Sequence, residues 1–235
     1  MQYKTAFTMA AMLSFPVAAL ATPTLDQIIS GAPNLSDNGA QSFQLIDMDN
    51  TQDDFFAQIV LEQASYESNM GIYSFDTDIN GNAILGNKLQ VFAANQEPGF
   101  ASSQSVYFDL LSGIAYLDDD GNVGLTTGDT QALIGRTFGF YLDVVNTGQT
   151  YYSHVNLNND GFDHLAAYTT AGHGGVTNAF DLILAWEDLP NGGDKDFTDM
   201  VVAVSDVVAV PEPGTLALLG LGLAGLGAAR RRQKA

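Results

Sequence analysis

The feature that most limits the fold is a series of short apolar segments separated by turn residues. FFAQIVLEQA, GIYSFD, KLQVFAA, SVYFDLLSGIAYL, TFGFYLDVV, TYYSHVNL, HLAAYTT, FDLILAW and MVVAVSDVV follow one another from Phe55 onward. Each is rich in Val, Ile, Tyr and Phe and is bounded by Gly, Asn or Asp, as strands that end in turns are. Spacing of roughly 8–12 residues, with a turn signal in each gap, predicts an all-β fold: an antiparallel β-sandwich or jelly-roll-like single domain over residues 22–209. Helical periodicity is scarce. Phe55, Ile59 and Glu62 also fit a helical period, so that segment keeps a helical alternative. TLDQIIS at Thr24–Ser30 reads as a short helix, with Thr24 as N-cap and Gly31 as its stop.

Charge is the second constraint. The chain has 27 acidic residues against 8 basic ones, a net charge of -19. Lys4, Arg230, Arg231, Arg232 and Lys234 lie at the ends, so only Lys88, Arg136 and Lys195 sit among the acids of the body. Such a body repels nucleic acid and anionic lipid and attracts cations. A nucleic-acid partner is therefore not expected. Cysteine is absent, so disulfides do not hold the domain; hydrophobic residues at 46% are enough for a core.

The acids cluster between two apolar runs, DLILAW and MVVAV. Glu187, Asp188, Asp194, Asp196 and Asp199 fall within 13 positions, and Lys195 is the one cation among them. In an extended loop, residues two apart point the same way, so Asp194 and Asp196 converge, and Asp199 joins after a turn. Gly192 and Gly193 let the backbone bend. Carboxylates so close raise one another's pKa unless a cation sits among them. Calcium takes about 6–8 oxygen ligands, so Ca2+ is the expected cofactor; a solvated acidic turn is the competing reading. NLNNDGFDHL offers further oxygen ligands in Asn158, Asp160 and Asp163, with Gly161 for a tight turn. It resembles the first half of an EF-hand loop, but the position needing Glu is Ala167, so it is no EF-hand, and the turn and ligand readings are level. FDTDINGN and DDDGN, the latter at Asp118–Asn122, read as turns.

Nothing points to catalysis. His154, His164 and His173 do not form a zinc pattern, and there is no cysteine. His164 is expected to pack near the acidic site or to bond a carboxylate. No Ser–His–Asp set, phosphate loop or dinucleotide motif is visible. Glu187 and Asp188, as strand neighbours, would face opposite sides, which argues against a glycosidase pair. Trp186 is expected to fill the core. The protein is therefore expected not to be an enzyme.

The two ends read as addresses. Residues 1–21 carry Lys4, an apolar run, and Ala19 and Ala21 at the positions a signal peptidase reads, with cleavage before Thr22. At the other end, Pro211, Glu212 and Pro213 precede a Leu/Gly/Ala run to Ala229 and then Arg230, Arg231 and Arg232. As a helix, Thr215–Ala229 would span ~22 Å, short of a hydrocarbon core of ~30 Å. The arginines stay cytoplasmic and place the body outside. The short span suits transient inner-membrane retention.

This tail, residues 210–235, resembles the PEP-CTERM sorting signal in all three of its parts. The resemblance implies a Gram-negative bacterium that makes exopolysaccharide. It also implies an exosortase that cuts near the Pro-Glu-Pro triplet, and delivery to the cell surface or extracellular matrix. A plain transmembrane anchor is the competing reading. GFYLDVVNTGQTYYSHVNLNNDGFDHLAAY and DLILAWEDLPNGGDKDFTDMVVAV are similar to domain of unknown function 4114, over roughly Gly71 to Val204. That family shows an aromatic residue before Glu-Asp, then Asp-x-Asp-aromatic-x-Asp: here Trp186, Glu187, Asp188, Asp194, Asp196, Phe197 and Asp199. The position before Asp199 is often Asn in the family and is Thr198 here. The expected function is that of an exosortase-processed surface or matrix protein, associated with exopolysaccharide and biofilm, whose β-domain calcium stabilises. The alternatives are a calcium-dependent carbohydrate-binding module using Tyr151, Tyr152 and Tyr168 as a platform, and a secreted hydrolase.

Overall fold

The computed structural model describes residues 25, 37–46, 53–122, 124–170 and 180–210. Among them are thirteen strands: β1 (Ser42–Leu45), β2 (Asp54–Glu62), β3 (Ser68–Thr77), β4 (Ala83–Phe92), β5 (Ser103–Asp109), β6 (Ile114–Leu117), β7 (Thr130–Leu133), β8 (Thr137–Val144), β9 (Gln149–Tyr152), β10 (Leu165–Thr169), β11 (Leu182–Trp186), β12 (Met200–Val204) and β13 (Val207–Val210). They form two antiparallel sheets. The first runs β13-β1-β8-β3-β4, with β9 also on β8; the second runs β10-β11-β12-β2-β5-β6-β7. The all-β class read from the turn-punctuated segments is the observed one.

Several segments divide differently from their apolar pattern. Phe55 onward is a strand: β2 alternates buried and half-buried side chains at every step, the period of two that a sheet imposes. SVYFDLLSGIAYL is two strands, β5 and β6. The turn between them is fixed by Asp109, whose carboxylate accepts from the Leu111 amide at 3.0 Å and the Ser112 hydroxyl at 2.8 Å. TYYSHVNL is strand only to Tyr152 and then forms a 3-10 turn at Val155–Leu157. MVVAVSDVV breaks at Asp206, whose φ of 60° sends the chain from the second sheet into the first.

The sheets meet through aromatic rings. Phe55 of β2 and Phe108 of β5 each stack on Phe138 of β8, at 5.7 and 5.8 Å, and Phe55 also meets Phe140 edge-on at 6.3 Å. Such rings join large buried area to favourable ring geometry. β11 and β12 are buried at every position. Leu184, Trp186, Met200 and Val202 belong to the core between the sheets. Ile183, Ala185, Val201 and Ala203 form a second cluster on the opposite face, with Leu25, Tyr168, Phe180 and Phe197 packed against it. The strands on either side of the acidic loop are thus gripped on both faces, which holds the loop's two ends in fixed positions.

The signal peptide, the tail from Pro211 and, apart from Leu25, the expected helix at Thr24–Ser30 lie outside the described residues. Among the described residues no helix is long and apolar enough to cross a membrane.

Under the first sheet, His154 is only 4% exposed. Its Nδ1 pairs with the Tyr73 hydroxyl at 2.5 Å and its Nε2 with the Ser42 hydroxyl at 3.0 Å. Burial pushes its pKa from 6.5 down to about 4. A depressed histidine contributes stability above pH 6.5 that is lost as pH falls through 4, on the order of 3 kcal/mol in total. Urea unfolding at pH 7 and pH 4 should therefore show a loss for the wild type that is larger than the loss for His154→Asn by about that amount. Equal losses would show that the ring is solvated.

Candidate metal centre

β11 ends at Trp186, and the chain leaves the sheet with its next residue. The Glu187 amide donates to the His164 carbonyl at 3.0 Å, and His164 Nδ1 donates back to the Glu187 carbonyl at 2.8 Å. This reciprocal pair fixes the Glu187 backbone. Strand alternation stops there, so Glu187 and Asp188 are not driven to opposite faces. Oxygens of Glu187, Asp188 and Asp199 lie within 4.8 Å of one another, and oxygens of Glu187, Asp194 and Asp196 do the same. The expectation that strand geometry keeps Glu187 and Asp188 apart does not hold, because it requires a strand that runs two residues past Trp186.

The loop reaches this shape through unusual backbone. Asn191, Lys195 and Phe197 have φ of 58°, 62° and 52°, and Gly192 and Gly193 are also positive. Left-handed residues at 195 and 197 replace the simple extended run that was expected to make Asp194 and Asp196 converge. Strain of this kind, of order 1–3 kcal/mol per residue, persists where the surroundings impose it. Gly193 is obligatory for space as well as for φ: a Cβ there would sit 2.6 Å from Glu187 Oε1. Thr198 donates from its amide (3.0 Å) and hydroxyl (2.8 Å) to Asp196 Oδ1.

The electrostatics are uncompensated. Glu187 is fully buried and Asp188 is 3% exposed. Glu187 Oε2 accepts from the Lys195 amide at 3.0 Å, and Asp199 Oδ2 from the Asp188 amide at 2.7 Å. Glu187 Oε1 and Asp188 Oδ2 are buried with no hydrogen-bond partner. Among the described residues Lys88 pairs with Asp143, and His164 Nε2 hydrogen-bonds Asp160; neither neutralises the cluster. The Lys195 ammonium lies over the Phe162 ring, 5.2 Å from its centre. Burial, followed by repulsion from Asp199, raises the pKa of Glu187 and Asp188, and burial raises that of Asp199. The Asp199 carboxyl touches those of Asp188 and Glu187 at hydrogen-bonding distance, a contact that needs a shared proton or a cation. Unpartnered buried carboxylate oxygens are costly, and a hard divalent cation is the partner they suit.

Asn158, Asp160 and Asp163 do not join either group. Asn158 is a staple, its side chain bonding the Tyr152 backbone at both N–H and C=O and the Phe162 carbonyl. Asp160 accepts from the Phe162 and Asn191 amides and pairs with His164 Nε2 at 3.1 Å. Burial alone would raise its pKa, but these donors bring it below the usual value. It ties the 158–164 turn to the acidic loop. Asp163 accepts from the Leu165 amide and is pushed up to about 6 by burial. His164, fully buried, touches both the acidic loop and a carboxylate.

A third group, Asp118, Asp120 and Asp129, also brings oxygens within 4.8 Å. Only the DDDGN turn was legible there, because Asp129 lies nine residues beyond Asp120. These acids are satisfied by their own loop: Gly121, Asn122 and Thr126 amides and the Thr126 hydroxyl donate to them. Of the three tyrosines expected as a sugar platform, Tyr151 is buried and Tyr152 and Tyr168 are half-buried. Tyr151 stacks on His164 at 3.6 Å, Tyr152 meets Tyr73 edge-on at 5.2 Å, and Tyr168 packs on the second cluster. Trp186 is fully buried in the core.

Two family models match this chain. Residues 130–206 match the domain of unknown function DUF4114, and residues 209–232 match the PEP-CTERM protein-sorting motif. No curated protein and no solved structure matches. The sorting motif implies an exported, envelope-targeted protein that an exosortase processes. The DUF4114 match is shorter than the span from Gly71 to Val204 and begins at β7. It contains all five clustered acids. It does not contain β2, β5 and β6, which stand between β12 and β7 in the second sheet. The matched segment alone therefore cannot build that sheet.

Proposed function

We propose that the exported body is a structural or interaction domain of the cell surface or matrix, and that a calcium ion among the carboxylates of residues 187–199 locks it. The observation that carries this reading is the pair of buried, unpartnered oxygens, Glu187 Oε1 and Asp188 Oδ2. The donors are all oxygens, which favours a hard cation over zinc or copper. Burial of two carboxylates beside a strained loop suits a site that closes its β11–β12 connection only when the charge is neutralised. Extracellular calcium modules work with dissociation constants of about 10⁻⁴–10⁻³ M, a range in which export would itself load the site. The role is non-catalytic: the ion serves stability and shape.

Calorimetric titration of calcium into chelator-treated protein tests this. Saturable binding is expected, weakened at least tenfold by Asp188→Asn or Asp199→Asn. Binding that both variants leave unchanged would place the ion elsewhere and remove the reading.

A further inference from the structure

The carboxylates form two overlapping sets rather than one. Glu187, Asp188 and Asp199 make an inner set, in which Glu187 and Asp188 are buried and Asp199 half-buried; Glu187, Asp194 and Asp196 make an outer set, whose two aspartates are exposed. Glu187 belongs to both. Its Oε1, fully buried and unpartnered, lies 2.6 Å from where a Cβ at Gly193 would sit, the residue next to Asp194. From this geometry we infer that the loop holds two calcium ions bridged by Glu187, an inner one and an outer, solvent-facing one. The inference rests on the calcium reading above and adds the number, the order and the bridging residue.

Charge supports it. A single divalent ion leaves the five carboxylates three charges in excess, with the Lys195 ammonium turned to the Phe162 ring. A second ion leaves an excess of one. The two positions differ in what holds them. The inner set is anchored to the ends of β11 and β12, so its ligands are held before the ion arrives. The outer set draws two ligands from Asp194 and Asp196, whose side chains are exposed and lose their freedom when the ion binds. A preorganised site binds more tightly than one whose ligands must be ordered, so the inner ion loads first. Asp118, Asp120 and Asp129 are a different case, since their own loop supplies their donors.

The test is calcium stoichiometry of the full chain, purified in mild detergent and stripped with chelator. The wild type is expected to take up two equivalents in two steps. Asp194→Asn combined with Asp196→Asn should take up one, with the tighter step unchanged. Asn at 196 keeps the oxygen that Thr198 bonds, so the loop retains its turn. Glu187→Gln should weaken both steps at least tenfold, and Asp120→Asn should leave both in place. One equivalent in the wild type, lost with Asp188→Asn, overturns the two-ion inference and leaves the single-ion reading intact. Two equivalents that survive the 194/196 double variant also overturn it. No uptake at all removes both.

Discussion

Glu187→Gln is expected to change sign with calcium: more stable than the wild type in chelator, less stable in saturating calcium. In chelator the wild type carries a buried carboxylate with one unpartnered oxygen among four other acids. Glutamine removes that charge, keeps an acceptor for the Lys195 amide, and offers an N–H to neighbouring carboxylates. A gain of about 1 kcal/mol follows from one improved buried hydrogen bond. In calcium the balance reverses. An ion at about 100 times its dissociation constant stabilises the native state by about 2.7 kcal/mol. For a domain of this size that raises the melting temperature by about 5–10 °C, and the variant forfeits most of it. Thermal melts in the two buffers read the crossing. A variant destabilised equally in both would show that Glu187 is a packing residue and that the cluster needs no ion.

The second large effect is Trp186→Ala, which should cost about 3–5 kcal/mol, as large aromatic truncations in cores do. Trp186 is fully buried at the end of β11, within the core between the sheets. This loss should persist in chelator, in contrast to the effect of Glu187→Gln, because it removes core packing; in calcium it is at least as large, since the same packing positions Glu187. Trp186→Phe should cost much less, since the indole N–H is buried without a partner and phenylalanine deletes that donor. A mild alanine effect would mean that the ring stands at a surface and serves a ligand after all.

The strands were legible because their chemistry is local: β-branched and aromatic runs stop at Gly, Asn and Asp, and β2 shows its period of two directly. Where runs were read too long, the reason was a turn made of acceptable strand residues. Leu110 and Leu111 give no sign that Asp109 caps a turn there, and Asp206 gives little sign that the chain changes sheets. At the site, clustering and sign of charge were enough to single out Glu187, Asp188, Asp194, Asp196 and Asp199. Their division into an inner and an outer set was not, because it depends on the residue at which β11 ends and on the left-handed residues Lys195 and Phe197. That Asp160 also tethers two loops is not visible in composition, which cannot show that the Asn191 amide and His164 engage its carboxylate.

Crystals grown in chelator and then soaked in calcium would test the central claim most directly. Density for an ion is expected about 2.3–2.6 Å from the oxygens of Glu187, Asp188 and Asp199. A soaked crystal with those oxygens turned apart, or with calcium only at Asp118, Asp120 and Asp129, would contradict it.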